Sequence, residues 1–462
     1  NGPASTALVS SILESVVDGA FSTTLEVPAG TEQGQVRRAL DQLAVEHEIL
    51  RTRFREWPGL KLPLQHIDAE ARPAWSVGHD GADDDTLARR ARALRASQGA
   101  VVAGAMDDGR SAPGHAVARV AIAVDALCID APGAIRLAHA LAASCRPGQA
   151  SAELGEDALP PVQYVDYAAW QNEVSEGELG TEGLAFWHRA TRDLPPAPRL
   201  PFALLGDESA LTRHALDCEP GLARALQALA AGSGVAVPHL VLGAWVVFMG
   251  RLSAQEQVSL GWQAHVLPQE LSGSFGRFAS VLPLALSADA GASLSGAGAR
   301  VAALLAECEP WHDSVEAARS QAGQAADEAL ADGLAFGHLR LDASGGLDQA
   351  GRLRAVFGEP GAARLTLTLV QQGEQLACQW VARGAWRAGS VEAWATQFQT
   401  FLGAASRAPA MPFAQLAWLG EADARRVLID FNEQGGAPAV LAELARGGLH
   451  GLFERQARRT PQ

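Results

Sequence analysis

The chain has 462 residues, 48% hydrophobic and 19% charged, a globular balance with length for two ordinary domains or one large pseudo-symmetric body. A formal net charge of −15 argues against nucleic acid or an anionic membrane surface as partner, because both demand concentrated Lys and Arg. No apolar run approaches a membrane span and no charged start followed by an apolar stretch marks a signal peptide. Cys128, Cys145, Cys218, Cys308 and Cys378 stand singly, without metal-ligand spacing, so the expectation is a cytoplasmic protein with reduced thiols and no metal site.

In chain order, Ala20 to Val27 alternates as a strand and Gly34 to Leu50 reads as a helix with Val36, Leu40 and Leu43 on one face. That helix runs into HEILRTRF (His47 to Phe54), whose charges read as a solvated end. Residues 57 to 80 read as short strands broken by Pro58, Pro63 and Pro73, and Asp84 to Ser97 as a charged helix. The stretch around which the chain is organised follows, VARVAIAVDALCIDAPGAIRL (Val117 to Leu137): a β-rich apolar run, a tight loop, and a helix after Ala131-Pro132-Gly133. Asp125 and Asp130 bracket the loop. A carboxylate at the end of a buried strand needs a partner or a proton, and Asp130 reads either as a group with chemistry or simply as the helix cap.

Beyond an acidic, Gly-containing loop, VQYVDYAAWQNEV (Val162 to Val174) holds both tyrosines, and helical spacing puts Tyr167 and Trp170 on one packed face. Leu184 to Arg192 continues helical. LPPAPRLPF (Leu194 to Phe202) must be extended, because its prolines forbid a helix, and the main boundary falls here. The second half reads as strand Leu211 to Cys218, helix Gly221 to Ala231, an all-round apolar helix Val237 to Leu252, and strand Val258 to Trp262. A turn from Ser274 leads into a strand ending near Leu286, then helix Ala297 to Glu307, strands Leu334 to Leu341 and Ala363 to Val370, and Leu376 to Val381 pairing back across Gln372-Gly373. Helix Val391 to Ala405 closes the body. Position 1 is Asn and the last residues break off after an amphipathic helical pattern, so the sequence reads as a segment of a longer polypeptide.

Several of these stretches, in order, resemble the condensation domains of nonribosomal peptide synthetases. HEILRTRF is similar to the family's early arginine-containing motif, VQYVDYAAWQ to its tyrosine/tryptophan motif, and Phe186-Trp187 with LPPAPRLPF to its inter-lobe segment. RLSAQEQVSLGW and FGRFASVLPL are similar to later motifs, and VLIDFN with LHGLFERQARRTPQ to the linker into an adenylation domain. The resemblance implies an α/β (α+β) fold of two chloramphenicol-acetyltransferase-like lobes in a V-shaped pseudo-dimer around a central tunnel. Residues 1–193 would form the N-terminal lobe, 194–420 the C-terminal lobe and 421–462 the linker. It implies an acyltransferase that binds no cofactor directly and receives phosphopantetheine arms from upstream and downstream carrier proteins.

The family signature HHxxxDG reads here Asp125-Ala126-Leu127-Cys128-Ile129-Asp130-Ala131. Only the last Asp is kept, and Ala126 has neither a proton nor a lone pair to offer. The candidate catalytic residues are Asp125 and Asp130, the latter with a structural role, and Ala126, Cys128, Ala131 and Gly133 make up the active-site loop. His265, His312 and His338 are further candidates to take up a proton. The heterocyclization subclass carries DxxxxDxxS, which fits both aspartates but has Ser where Gly133 stands. Three readings stay open: an atypical condensation enzyme working mainly by alignment of two thioesters, a catalytically silent docking or recruitment domain, and heterocyclization of Cys, Ser or Thr, for which Thr366 and Thr368 are the nearby hydroxyls.

Overall fold

The computed structural model describes residues 19–27, 31–55, 64–107, 118–145, 161–201, 210–265, 267, 270–322, 333–341 and 363–420, the backbone of 269 and 352–357, and scattered positions between 424 and 458. Two mixed sheets organise the chain, each with an apolar core of its own.

The first sheet is built around β6 (Ala118–Asp125). Its alternation splits the strand between two environments. Val120, Ile122 and Val124 join a cluster with Leu40 of α1 (Gln33–Glu46) and with Ile135 and Leu137 of α3 (Ala131–Ser144). Ala121 and Ala123 pack with Leu87 and Ala91 of α2 (Asp84–Gln98). The sheet is therefore sandwiched between helices, and β6 runs antiparallel to both β1 (Ala20–Val27) and β5 (Val102–Asp107), with β4 (Ala74–Gly78) parallel to β5. Thr52–Arg55 and Leu64–Ile67, β2 and β3, pair separately.

α4 (Tyr164–Glu176) and α5 (Glu178–Arg192) lead to the crossover and into the second sheet, ordered β7 (Leu211–Asp217), β13 (Gln375–Arg383), β12 (Leu365–Gln372), β10 (Leu334–Arg340), β8 (Gln257–Ala264) and β9 (Ser280–Ser287). α6 (Pro220–Ser233), α7 (Val237–Ser253), α8 (Leu294–Cys308) and α10 (Ser390–Arg407) contribute to its core; α9 (Val315–Ala322) packs on α5. α7 is buried on nearly every side, as its all-round apolar pattern requires. The β12–β13 hairpin turns at Gly373, whose φ of 56° is a left-handed conformation open to glycine.

Four findings correct or extend the sequence reading. The first helix stops at Glu46, followed by a short 3-10 turn Glu48–Arg51. Its end is buried, with His47 only 6% exposed and its ring 4.3 Å from that of Phe275, so the solvated end is overturned for this residue. Trp170 is 47% exposed, so only Tyr167 of that pair is packed. The unrecognised strand β5 is fully buried. A second unrecognised strand, β11 (Arg352–Phe357), pairs antiparallel with β1, so the chain beyond residue 193 adds an edge strand to the first sheet. Among the described residues no single helix is long and apolar enough to cross a membrane.

Candidate active site

The loop between β6 and α3 meets the second half of the chain through Asp130. Its backbone turns from extended geometry into α3, and Pro132 at the start of the helix needs no donor there. Asp130 Oδ1 accepts the amide of Gly133 at 2.7 Å, capping α3. Its other oxygen, Oδ2, accepts the amides of Phe278 and Ala279, each at 2.8 Å, and the Asp130 amide donates to the Gly276 carbonyl at 3.3 Å. The carboxylate thus caps its own helix through one backbone amide and staples the loop to the segment leading into β9, about 150 positions away in sequence, by two further charge-assisted bonds from backbone amides. Its partners are backbone amides; among the described residues no Arg side chain hydrogen-bonds it.

Asp125 is equally occupied. Its Oδ2 lies 2.9 Å from Arg95 Nη1 of α2, and its Oδ1 accepts the Leu127 amide at 3.0 Å. Serving as a base would require giving up the ion pair. Cys128 is buried, its thiol donating to the Thr52 carbonyl at 3.2 Å, and burial raises its pKa far above the ordinary thiol value, so it is no nucleophile. Ala126 is buried, with its amide on the Gly19 carbonyl, and Ala131 opens α3. At Gly133 a Cβ would sit 2.6 Å from Ile129 Cγ1 and 2.9 Å from Asp130 Oδ1, so a serine there displaces the cap.

The segment receiving Asp130 is itself tightly held. Gly276 lies against the Tyr164 ring with no room for a Cβ, and the Tyr164 hydroxyl donates to the Arg277 carbonyl at 3.1 Å. Burial pushes the Tyr164 hydroxyl up to about 12, so it stays a donor at neutral pH. Ser274 Oγ donates to the Val162 carbonyl at 2.7 Å, and Arg136 Nη2 to the Ser274 carbonyl at 3.2 Å. Tyr167 donates to Asp313 Oδ1 at 3.1 Å. Arg277, quoted in its motif without a role, reaches the Ala126 carbonyl with Nη1 at 3.4 Å, and burial lowers its pKa. The glycine in FGRF was the available signal that backbone comes close here.

Of the three candidate histidines, His312 contacts Asp313 at 3.2 Å and the Glu309 carbonyl at 3.2 Å, and His338 bonds Gln371 Oε1 at 3.3 Å. His265 has two buried ring nitrogens with no hydrogen-bond partner among the described residues. It directly follows Ala264, which is paired with Ser280, and so comes alongside Ala279, one of the amides on Asp130. Burial lowers the pKa of His265 and the nearby Asp130 pushes it back up. Thr366 is fully buried, its hydroxyl unpartnered among the described residues; Thr368 lies near Gln263 across Gly337. The described parts of 333–341 and 363–372 carry no carboxylate. Among the described residues no group of three or more His, Cys, Asp or Glu could hold a metal ion.

Residues 137–317 match the family model described as the condensation domain. The phosphinothricin tripeptide synthetase PhsC of Streptomyces viridochromogenes is 32% identical over 185 residues, 37% of this chain and 17% of that protein. The AMB antimetabolite synthetase AmbE of Pseudomonas aeruginosa is 30% identical over 267 residues, 54% of this chain and 12% of that one. The chain thus spans under a fifth of the length of either relative. In fold it is similar to the first condensation domain of the calcium-dependent antibiotic synthetase, solved with a substrate analogue, with a TM-score of 0.70 at 16% identity over 90% of this chain and 98% of that one.

Proposed function

We propose, from the premise that this chain belongs to the condensation-domain superfamily of nonribosomal peptide synthetases, that it is an atypical condensation domain. In this reading it joins two carrier-tethered acyl or aminoacyl thioesters through an amide bond, without the usual histidine. The carrying observation is the Asp130 staple: three backbone amides from both halves of the chain fix the loop in place although both histidine positions are filled by Asp125 and Ala126. Aminolysis of a thioester is favourable, and holding both reactants in attack geometry supplies much of the barrier lowering. The reaction forms a C–N bond and breaks a C–S bond; the amine gives up one proton and the departing pantetheine thiolate takes one.

On this reading residues 1–193 and 194–420 form two lobes in a V whose tunnel admits a phosphopantetheine arm from each side. The stretch 421–462 leads towards an adenylation domain, and upstream and downstream carrier proteins are the partners. A second reading, a silent docking or recruitment domain, is favoured by Ala126 and by the closed Asp125–Arg95 pair. Heterocyclization keeps the two aspartates of its pattern and little else: a Cβ at Gly133 would crowd Ile129 and Asp130, and the described strands beside Thr366 and Thr368 offer no carboxylate.

The test is a single-turnover assay with both carrier proteins loaded, read by intact-protein mass. Transfer by the wild type supports condensation, and loss of a further water from the product would instead mean heterocyclization. No transfer with any loaded pair leaves the docking reading.

A further inference from the structure

We infer that His265 takes the proton from the attacking amine, supplying from the second sheet the lone pair that Ala126 cannot supply from the loop. This rests on the condensation reading above. Three observations meet at this residue. It follows the last pair of β8 with β9, Ala264–Ser280, next to the Ala279 whose amide is bound to Asp130, and its ring is close enough for Asp130 and Arg136 to act on it electrostatically, which places it at the stapled junction. Both ring nitrogens are buried and unpartnered among the described residues, whereas the other two candidates, His312 and His338, are engaged with Asp313, Glu309 and Gln371. A buried imidazole without a bond is costly, and its vacancy is filled when an amine N–H donates to it.

The charges around the ring suit a proton acceptor. Asp130 acts from the loop, opposed by Arg136 of α3, while His338 of β10 faces His265 as a second neutral imidazole and Arg277 balances Asp130 from the segment before β9. Burial keeps His265 neutral at pH 7, the form that accepts, and the Asp130 carboxylate stabilises the imidazolium as it forms. As the amine nitrogen bonds to the thioester carbonyl carbon, its proton passes to one ring nitrogen. When the C–S bond breaks, the same proton goes to the pantetheine thiolate, which returns His265 to neutral and balances the reaction.

The experiment uses the full 462-residue chain with a panel of aminoacyl-pantetheine donors and aminoacyl N-acetylcysteamine acceptors covering the proteinogenic side chains. Wild type, His265→Ala and His265→Gln are compared from about pH 4 to 8.5, with folding verified by circular dichroism at each pH. The expected result is a rate loss on the order of 100-fold in both variants, a wild-type rate that falls in acid as His265 protonates, and recovery of His265→Ala by added imidazole. Equal rates and equal pH profiles in wild type and variants overturn the assignment while leaving condensation intact. A rate loss that imidazole does not restore, with an unchanged pH profile, makes His265 a structural residue and also overturns it. Absence of transfer by the wild type with every pair defeats the condensation reading itself. If His265→Ala does not fold, His265→Gln carries the comparison, and a Gln variant with the wild-type rate and pH profile overturns the assignment.

Discussion

The two sheets solve the same packing problem with opposite materials. Where α2 lies on the first sheet, the contact is made by Ala91, Ala105, Ala121 and Ala123 around a single Leu87. The core of the second sheet is filled by Trp245, Trp380, Phe248, Phe336 and Phe398, with the Trp262 and Phe336 rings stacked at 5.5 Å. Small side chains bring a helix close to its sheet, and that contact fails when something is added. Large rings hold the helices farther out, and that core fails when something is removed. The site lies where the two meet, in a cluster that mixes Ile122 and Ile135 of the first half with Phe275, Leu341 and Val370 of the second.

The contrast is broken most severely by Trp245→Ala, which opens a cavity in the fully buried aromatic core and should cost about 4 kcal/mol, read as a lower urea midpoint at unchanged slope. An effect of up to about 3 kcal/mol is expected from acid at the mixed junction, through His47. Burial lowers its pKa from 6.5 to about 4. The unfolded chain therefore binds this proton first, so the stability contributed by neutral His47 is complete above pH 6.5, is lost as pH falls from 6.5 towards 4, and changes no further below that. Urea midpoints for wild type and His47→Asn across that range check this: the variant should lose much of the slope.

Asp130→Ala should cost roughly 3 kcal/mol, because it removes a helix cap and leaves the Phe278 and Ala279 amides without their acceptor. Thermal unfolding measures the loss, and hydrogen exchange should report faster opening at 276–279. The smallest effect, about 2 kcal/mol, belongs to Ala121→Leu, which forces α2 off its sheet. The comparison sharpens if Ala121→Leu lowers the melting temperature by overpacking while a change of opposite sign in the aromatic core, Phe336→Leu, acts through a cavity instead.

What sequence determined here is local and periodic. Alternation gave β1 its ends, Ala20 and Val27, and the unbroken apolar circumference of Val237 to Leu252 specified a helix with no solvent face. Asp130 before a proline could be read as a cap because capping acts over three residues. The motifs in their order carried the resemblance to condensation domains, and residues 137–317 match that family's model. Burial of His47, exposure of Trp170, the arrival of β11 beside β1 and the amides closing on Asp130 depend on residues tens to hundreds of positions apart. No period or spacing encodes such contacts, since they come from how two finished sheets are set against each other. The same holds for His265: nothing in its neighbours distinguishes it from His338, and only pairing of Ala264 with Ser280 brings it beside the stapled carboxylate.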